Sequence, residues 1–283
     1  MVFPPFDPNG PENEGRGPRL RQIPVRLLVP NLITVLAICA GMTGIRLAFE
    51  GRFELAVMMV LIAAFLDGID GRVARLLKAQ SKFGVQMDSL ADIINFGVAP
   101  PLVLYAHLLK EGGSFGWIAA IVYAIAAALR LARFNVIADS PPKARWHALF
   151  FVGVPAPLGA LLVLLPVYLG FLGMPATASL ALGWSIFTMF IGFLMVSRLP
   201  VYSGKEFGGR VRRDLVIPFI LVAVVYVALL MSFTWHTLSI TALAYLASLP
   251  FGARHWSKNY GPKSGRWKTG QKSTDEPNTP DDE

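Results

Sequence analysis

The chain is 283 residues long, 54% hydrophobic and only 16% charged, with a mean hydropathy of +0.53 and a formal net charge of +8. A soluble domain would carry about 25% charged residues, so the composition excludes a water-soluble globule. Repeated apolar runs near bilayer length indicate an all-α, polytopic membrane helical bundle. Cys39 is the single cysteine, which excludes an internal disulfide.

In chain order, residues 1–26 form a tail rich in Pro, Gly and Glu that ends in a short interfacial segment within "PRLRQIPVRLLVP". No apolar h-region precedes it, so a cleavable signal peptide is not expected. About eight spans follow, at 27–47, 53–77, 84–109, 115–137, 152–172, 176–197, 214–233 and 236–252. Together they make a membrane domain over 27–252, and 253–283, ending in "STDEPNTPDDE", reads as a second disordered tail.

The cations set the orientation. All but three of the 26 Lys and Arg residues fall on one side of such a layout, the exceptions being Arg46, Arg52 and Lys110. Both termini are therefore expected in the cytoplasm, with the chain a multi-pass protein of the cytoplasmic (inner) membrane. Juxtamembrane cations facing anionic lipid headgroups also account for the basic pI without nucleic acid as a partner.

The second and third spans break the apolar pattern with Asp67, Asp70, Asp88 and Asp92. At about 1.5 Å per residue, all four fall in the cytoplasmic third of a core roughly 30 Å thick, reached by two consecutive helices running in opposite directions. Asp67, Asp70, Gly71 and Ala74 lie at i, i+3, i+4 and i+7, one helix face; Gly84, Asp88 and Asp92 lie at i, i+4 and i+8, again one face. Turned toward each other, these faces bring four carboxylates together, and protons or cations must neutralise them. Carboxylate oxygens at that density suit hard divalent cations, Mg²⁺ or Mn²⁺, and have room for two. Small Gly71, Ala74 and Gly84 leave space for a ligand, and Arg75 offers a donor fork to a phosphate. Pairing with Arg72 and Arg75 alone would leave two carboxylates uncompensated, so a purely structural role is disfavoured. Two functional classes remain open from spacing: metal-assisted phosphoryl-type transfer, and an ion-coupled transporter or proton relay.

The stretch "DGIDGRVARLLKAQSKFGVQMDSLAD" resembles the motif of the CDP-alcohol phosphatidyltransferases, D-x2-D-G-x2-A-R-x8-G-x3-D-x3-D. Asp67, Asp70, Gly71, Ala74, Arg75, Gly84, Asp88 and Asp92 fill its fixed positions without departure. "PNLITV", "LRLARFNV", "FVGVPAP" and "SRLPVYSGK" are similar to segments of that family's bacterial and archaeal type II phosphatidylserine synthase branch. The separate phospholipase D-like synthase class is excluded, since His107, His147, His236 and His255 do not fit H-x-K-x4-D.

The resemblance implies a six-helix core plus two helices, and transfer of a phosphatidyl group from CDP-diacylglycerol to L-serine, giving phosphatidylserine and CMP. It implies two Mg²⁺ or Mn²⁺ ions on Asp67, Asp70, Asp88 and Asp92, with Asp92 as general base. A CDP site at Asn31, Thr34, Gly71, Ala74, Arg75 and Gly84 would follow, as would a homodimer embedded among membrane lipids. For the serine carboxylate, the candidates are Arg130, Arg133 and Asn135 at the end of the fourth span. The same chemistry on glycerol 3-phosphate or inositol phosphate is the alternative acceptor reading.

Overall fold

The computed structural model describes residues 25–138, 150–197, 200–202 and 213–259. The two expected tails lie outside these residues, except that the first helix begins at Val25, two residues inside the expected 1–26 tail, and the last continues beyond 252 to Asn259. The described residues form ten α-helices: α1 (Val25–Phe49), α2 (Phe53–Leu76), α3 (Lys82–Asp92), α4 (Ala99–His107), α5 (Ser114–Ala138), α6 (Ala156–Val163), α7 (Leu165–Phe171), α8 (Ala178–Val196), α9 (Arg213–Ser232) and α10 (Thr234–Asn259). Every expected span coincides with one helix or an interrupted pair. Among the described residues the exception to helix and turn is a three-residue antiparallel ribbon, β1 (Phe150–Val152) with β2 (Pro200–Tyr202), paired Phe151 to Val201.

Among the described residues four segments are long and apolar enough to cross a membrane: Leu28–Phe49, Lys82–His107, Ser114–Ile137 and Ala178–Val196. The chain is thus a multi-pass membrane helical bundle. α2 fails that criterion because its last third carries charge, although it packs along α1 as an antiparallel hairpin. That hairpin turns at Gly51, whose φ of 78° suits glycine. The approach is close: a Cβ on Gly44 would meet the Ala56 carbonyl at 3.0 Å and Val60 Cγ2 at 3.2 Å.

Two of the expected spans are interrupted, each at proline. The fifth divides into α6 and α7 just before Pro166. The third runs as α3, a π-helical turn over Ile93–Val98, and α4. Pro100 and Pro101 lack the N–H groups that would bond back to Phe96, whether four or five residues earlier. The Phe96 carbonyl is instead taken by the Tyr123 hydroxyl of α5, at 3.3 Å. The π turn therefore begins directly after Asp92 and is pinned to a neighbouring helix.

The core gathers Val57, Val60, Phe96, Val103, Leu104, Tyr123, Leu162, Leu165, Tyr168, Ile191 and Met195 from α2, the π turn and α4 to α8. At the end opposite the Asp cluster, the His107 ring sits between Phe53 (4.7 Å, edge-on) and Phe171 (5.7 Å).

Candidate active site

The turn between α2 and α3 is shaped by local chemistry. Lys78 adopts φ 51° just past the C-cap of α2. Its N–H bonds to Arg75 O (3.2 Å), and the next N–H, of Ala79, bonds to Ala74 O (2.8 Å). This is a Schellman closure with lysine where glycine is usual. Ser81 then caps α3, its Oγ accepting from Gly84 N at 3.0 Å. Reversing the chain in so few residues lays α3 beside α2.

The consequence is a carboxylate cluster. Ligand oxygens of Asp67, Asp70 and Asp88 all lie within 4.8 Å of one another. Asp92 stands at hydrogen-bonding range of Asp67, and Asp88 of Asp70, so the acids meet as two cross-helix pairs. Asp70 is 2% exposed; its Oδ2 accepts from the Thr34 hydroxyl of α1 at 2.6 Å, and its Oδ1 from the Gly71 N–H. Asp67 Oδ1 is buried with no hydrogen-bond partner. Among the described residues no Lys or Arg comes within salt-bridge distance of the four acids; the ion pair found there is Arg46–Glu50. Arg75 acts on Asp88, and Arg130 on Asp92, at longer electrostatic range. An orphaned buried oxygen and an excess of hard anionic donors fit divalent cations.

Beside the cluster opens a cavity of about 300 Å³. Asn31, Thr34, Gly71, Ala74, Arg75 and Gly84 all line it, with Asp70 and Asp88 at its acidic end. A Cβ on Gly71 would meet nothing within 4 Å, so that position faces open cavity, whereas one on Gly84 would come within 3.0 Å of Asn31 Oδ1. Thr34 lines the cavity while its hydroxyl is engaged by Asp70, so it orients a carboxylate as well as bordering the space. Gln80 and Ser81 also line the cavity; they fall between the fixed motif positions, where spacing gives no signal.

The three residues expected near serine divide. Arg130 is half-buried, its Nε enclosed without a partner, and it interacts electrostatically with Asp92. Arg133 instead donates from an Nη to the Val196 carbonyl at 2.8 Å, closing the end of α8. Asn135 donates to Ser89 Oγ at 3.1 Å, tying α5 to α3 next to Asp88. Asn95, fully buried in the π turn with both amide atoms unpartnered, was not anticipated. Its position seven residues after Asp88, on one helical face with it, was the available signal.

The comparisons with known proteins agree with this geometry. Residues 27–196 match the family model described as CDP-alcohol phosphatidyltransferase. The chain belongs to the CDP-alcohol phosphatidyltransferase family. A second model, CDP-alcohol phosphatidyltransferase 2, matches residues 214–250. Curated relatives named CDP-diacylglycerol–serine O-phosphatidyltransferase include one from Mycobacterium leprae, 37% identical over 83% of this chain and 77% of its own. Another, from Helicobacter pylori, is 40% identical over 63% of this chain and 73% of its own. A third, from Bacillus subtilis, is 32% identical over 63% of this chain and 92% of its own. As a family member the protein is a membrane-embedded transferase, and the first model spans the whole Asp cluster and its cavity.

Proposed function

We propose that the protein transfers the phosphatidyl group of CDP-diacylglycerol to the hydroxyl of L-serine, releasing CMP and phosphatidylserine. The observation that carries this reading is the acid cluster of α2 and α3 opening on a cavity bordered by Arg75, Asn31 and Gly84. Family membership supports the reaction class, and the relatives' names support serine.

Asp67, Asp70, Asp88 and Asp92 would hold two divalent cations, Mg²⁺ or Mn²⁺. Bound there, they would offset charge on the pyrophosphate and on departing CMP. The chain's own residues do the rest. Arg75 directs its guanidinium at a phosphate, and Asn31, Thr34, Gly71, Ala74 and Gly84 border the nucleotide. Asp92 accepts the serine hydroxyl proton as the oxygen attacks the phosphatidyl phosphorus and the bond to the CMP oxygen breaks. Arg130, within electrostatic range of Asp92, is the partner of the serine carboxylate, while Arg133 and Asn135 shape that end of α5 through Val196 and Ser89.

The domain spans 27–252, with both termini and the site on the cytoplasmic side of the inner membrane. The protein works as a homodimer among membrane lipids. The test is direct: purified protein with CDP-diacylglycerol, Mn²⁺ and labelled serine should release CMP and yield labelled phosphatidylserine. CMP release only with glycerol 3-phosphate or an inositol phosphate would overturn the acceptor, and no CMP with any alcohol would overturn the reaction.

A further inference from the structure

The π turn of Ile93–Val98 follows Asp92 directly, and the Ala99 N–H closes it by reaching back five residues to Ile94 O. Such a turn holds one residue more than an α-helical path, and one residue is about 100° of rotation. α4 is fixed in the core, with Val103 and Leu104 fully buried and His107 between Phe53 and Phe171. With that end fixed, the turn sets which way the Asp88 and Asp92 face of α3 points. An α-helical path would swing that face away from Asp67 and Asp70.

Neighbouring helices grip the turn. A Cβ on Gly41 of α1 would collide with Asn95 Oδ1, and one on Gly97 would meet Ala127 Cβ of α5 at 3.2 Å. A further grip is polar. Pro100 and Pro101 leave the carbonyl of buried Phe96 without a helical donor in either register, and the hydroxyl of fully buried Tyr123 donates to it at 3.3 Å. That hydroxyl is itself closely seated, since a Cβ on Gly159 of α6 would stand 3.2 Å from it. We propose that Tyr123 is a positioning residue for the reaction: its hydroxyl locks the π turn and thereby holds Asp92 at the angle from which it takes the acceptor's proton. This rests on Asp92 being the base.

The experiment measures CMP release by Tyr123→Phe in the full chain, at saturating Mn²⁺ and well below the melting temperature, alone and in the Asp92→Asn background. Alone, the substitution should lower kcat about 10- to 100-fold, as expected for a misplaced reacting group, with the KM for serine and for CDP-diacylglycerol each within about twofold of wild type. In the Asp92→Asn background it should cost less than about twofold more, because groups acting as one unit are not additive. The Tm should fall in both backgrounds, since the Phe96 carbonyl has lost its donor. A lowered Tm with unchanged kcat, or an equal loss of kcat in both backgrounds, would each overturn the inference. Should Tyr123→Phe fail to fold, Gly97→Ala presses the turn against Ala127 and is read by the same split. An Asp92→Asn variant with near-normal CMP release would overturn the base reading itself, a result separable from a slow Asp92→Asn and an indifferent Tyr123→Phe.

Discussion

The Thr34 hydroxyl of α1 donates to Asp70 Oδ2 of α2 across 2.6 Å, inside a cluster where Asp70 is 2% exposed. The same oxygen of Thr34 is 3.1 Å from the Pro30 carbonyl, and its single proton serves the shorter, charge-assisted contact. A helix outside the Asp-bearing pair thereby fixes the orientation of a carboxylate suited to a cation. Thr34→Val keeps the shape and removes the donor. Partners of this kind typically set metal affinity by about 10- to 100-fold, so the Mn²⁺ dissociation constant should weaken by that order, while Thr34→Ser stays close to wild type. A titration in which Thr34→Val binds Mn²⁺ normally would show that Asp70 needs no such support.

Asp92 closes α3 at the start of the π turn, against Asp67 and in range of Arg130. In the proposed role of general base it would contribute on the order of 10²- to 10⁴-fold to the rate. Asp92→Asn should lose turnover by that order while retaining CDP-diacylglycerol binding, measured by equilibrium binding of the labelled nucleotide lipid. Near-normal CMP release from the variant would remove Asp92 from the base role.

Arg130 and Arg133 are one turn apart but have different partners, and kinetics should separate them. Arg130→Ala should raise the serine KM more than the CDP-diacylglycerol KM. Arg133→Ala frees the Val196 carbonyl; it should lower the Tm, at a cost of about 1–3 kcal/mol for the lost charged hydrogen bond, and move both KM values alike. A serine-selective effect at Arg133, with the Tm intact, would place its guanidinium on the acceptor.

Lys78 occupies the left-handed region at φ 51°, where a side chain costs about 1–2 kcal/mol relative to glycine. Lys78→Gly should raise the Tm without changing kcat, since the side chain is absent from the residues lining the cavity. A thermal melt showing loss of stability would mean that the lysine side chain supports the turn in another way.

Much of the site was legible because an α-helix converts spacing into faces. Asp67, Asp70, Gly71 and Ala74 share one face and Gly84, Asp88 and Asp92 another, and those periodicities hold wherever the two helices are placed. The six cavity residues Asn31, Thr34, Gly71, Ala74, Arg75 and Gly84 were legible by resemblance, and they surround one space. The interruption after Asp92 was not. Pro100 and Pro101 signal a missing donor, but only the arrival of Tyr123 from α5 shows how the Phe96 carbonyl is satisfied.

The sequence by itself determined the membrane class, the helix positions and the metal-suited acid set, because hydropathy and helical period are local properties of the chain. Tertiary structure alone decided which helix supports Asp70, which arginine stays near Asp92 and which is spent on Val196. Those are contacts between helices, and the lateral packing that selects them depends on shape and close approach, such as that of Gly44 on Ala56, and leaves no spacing to read.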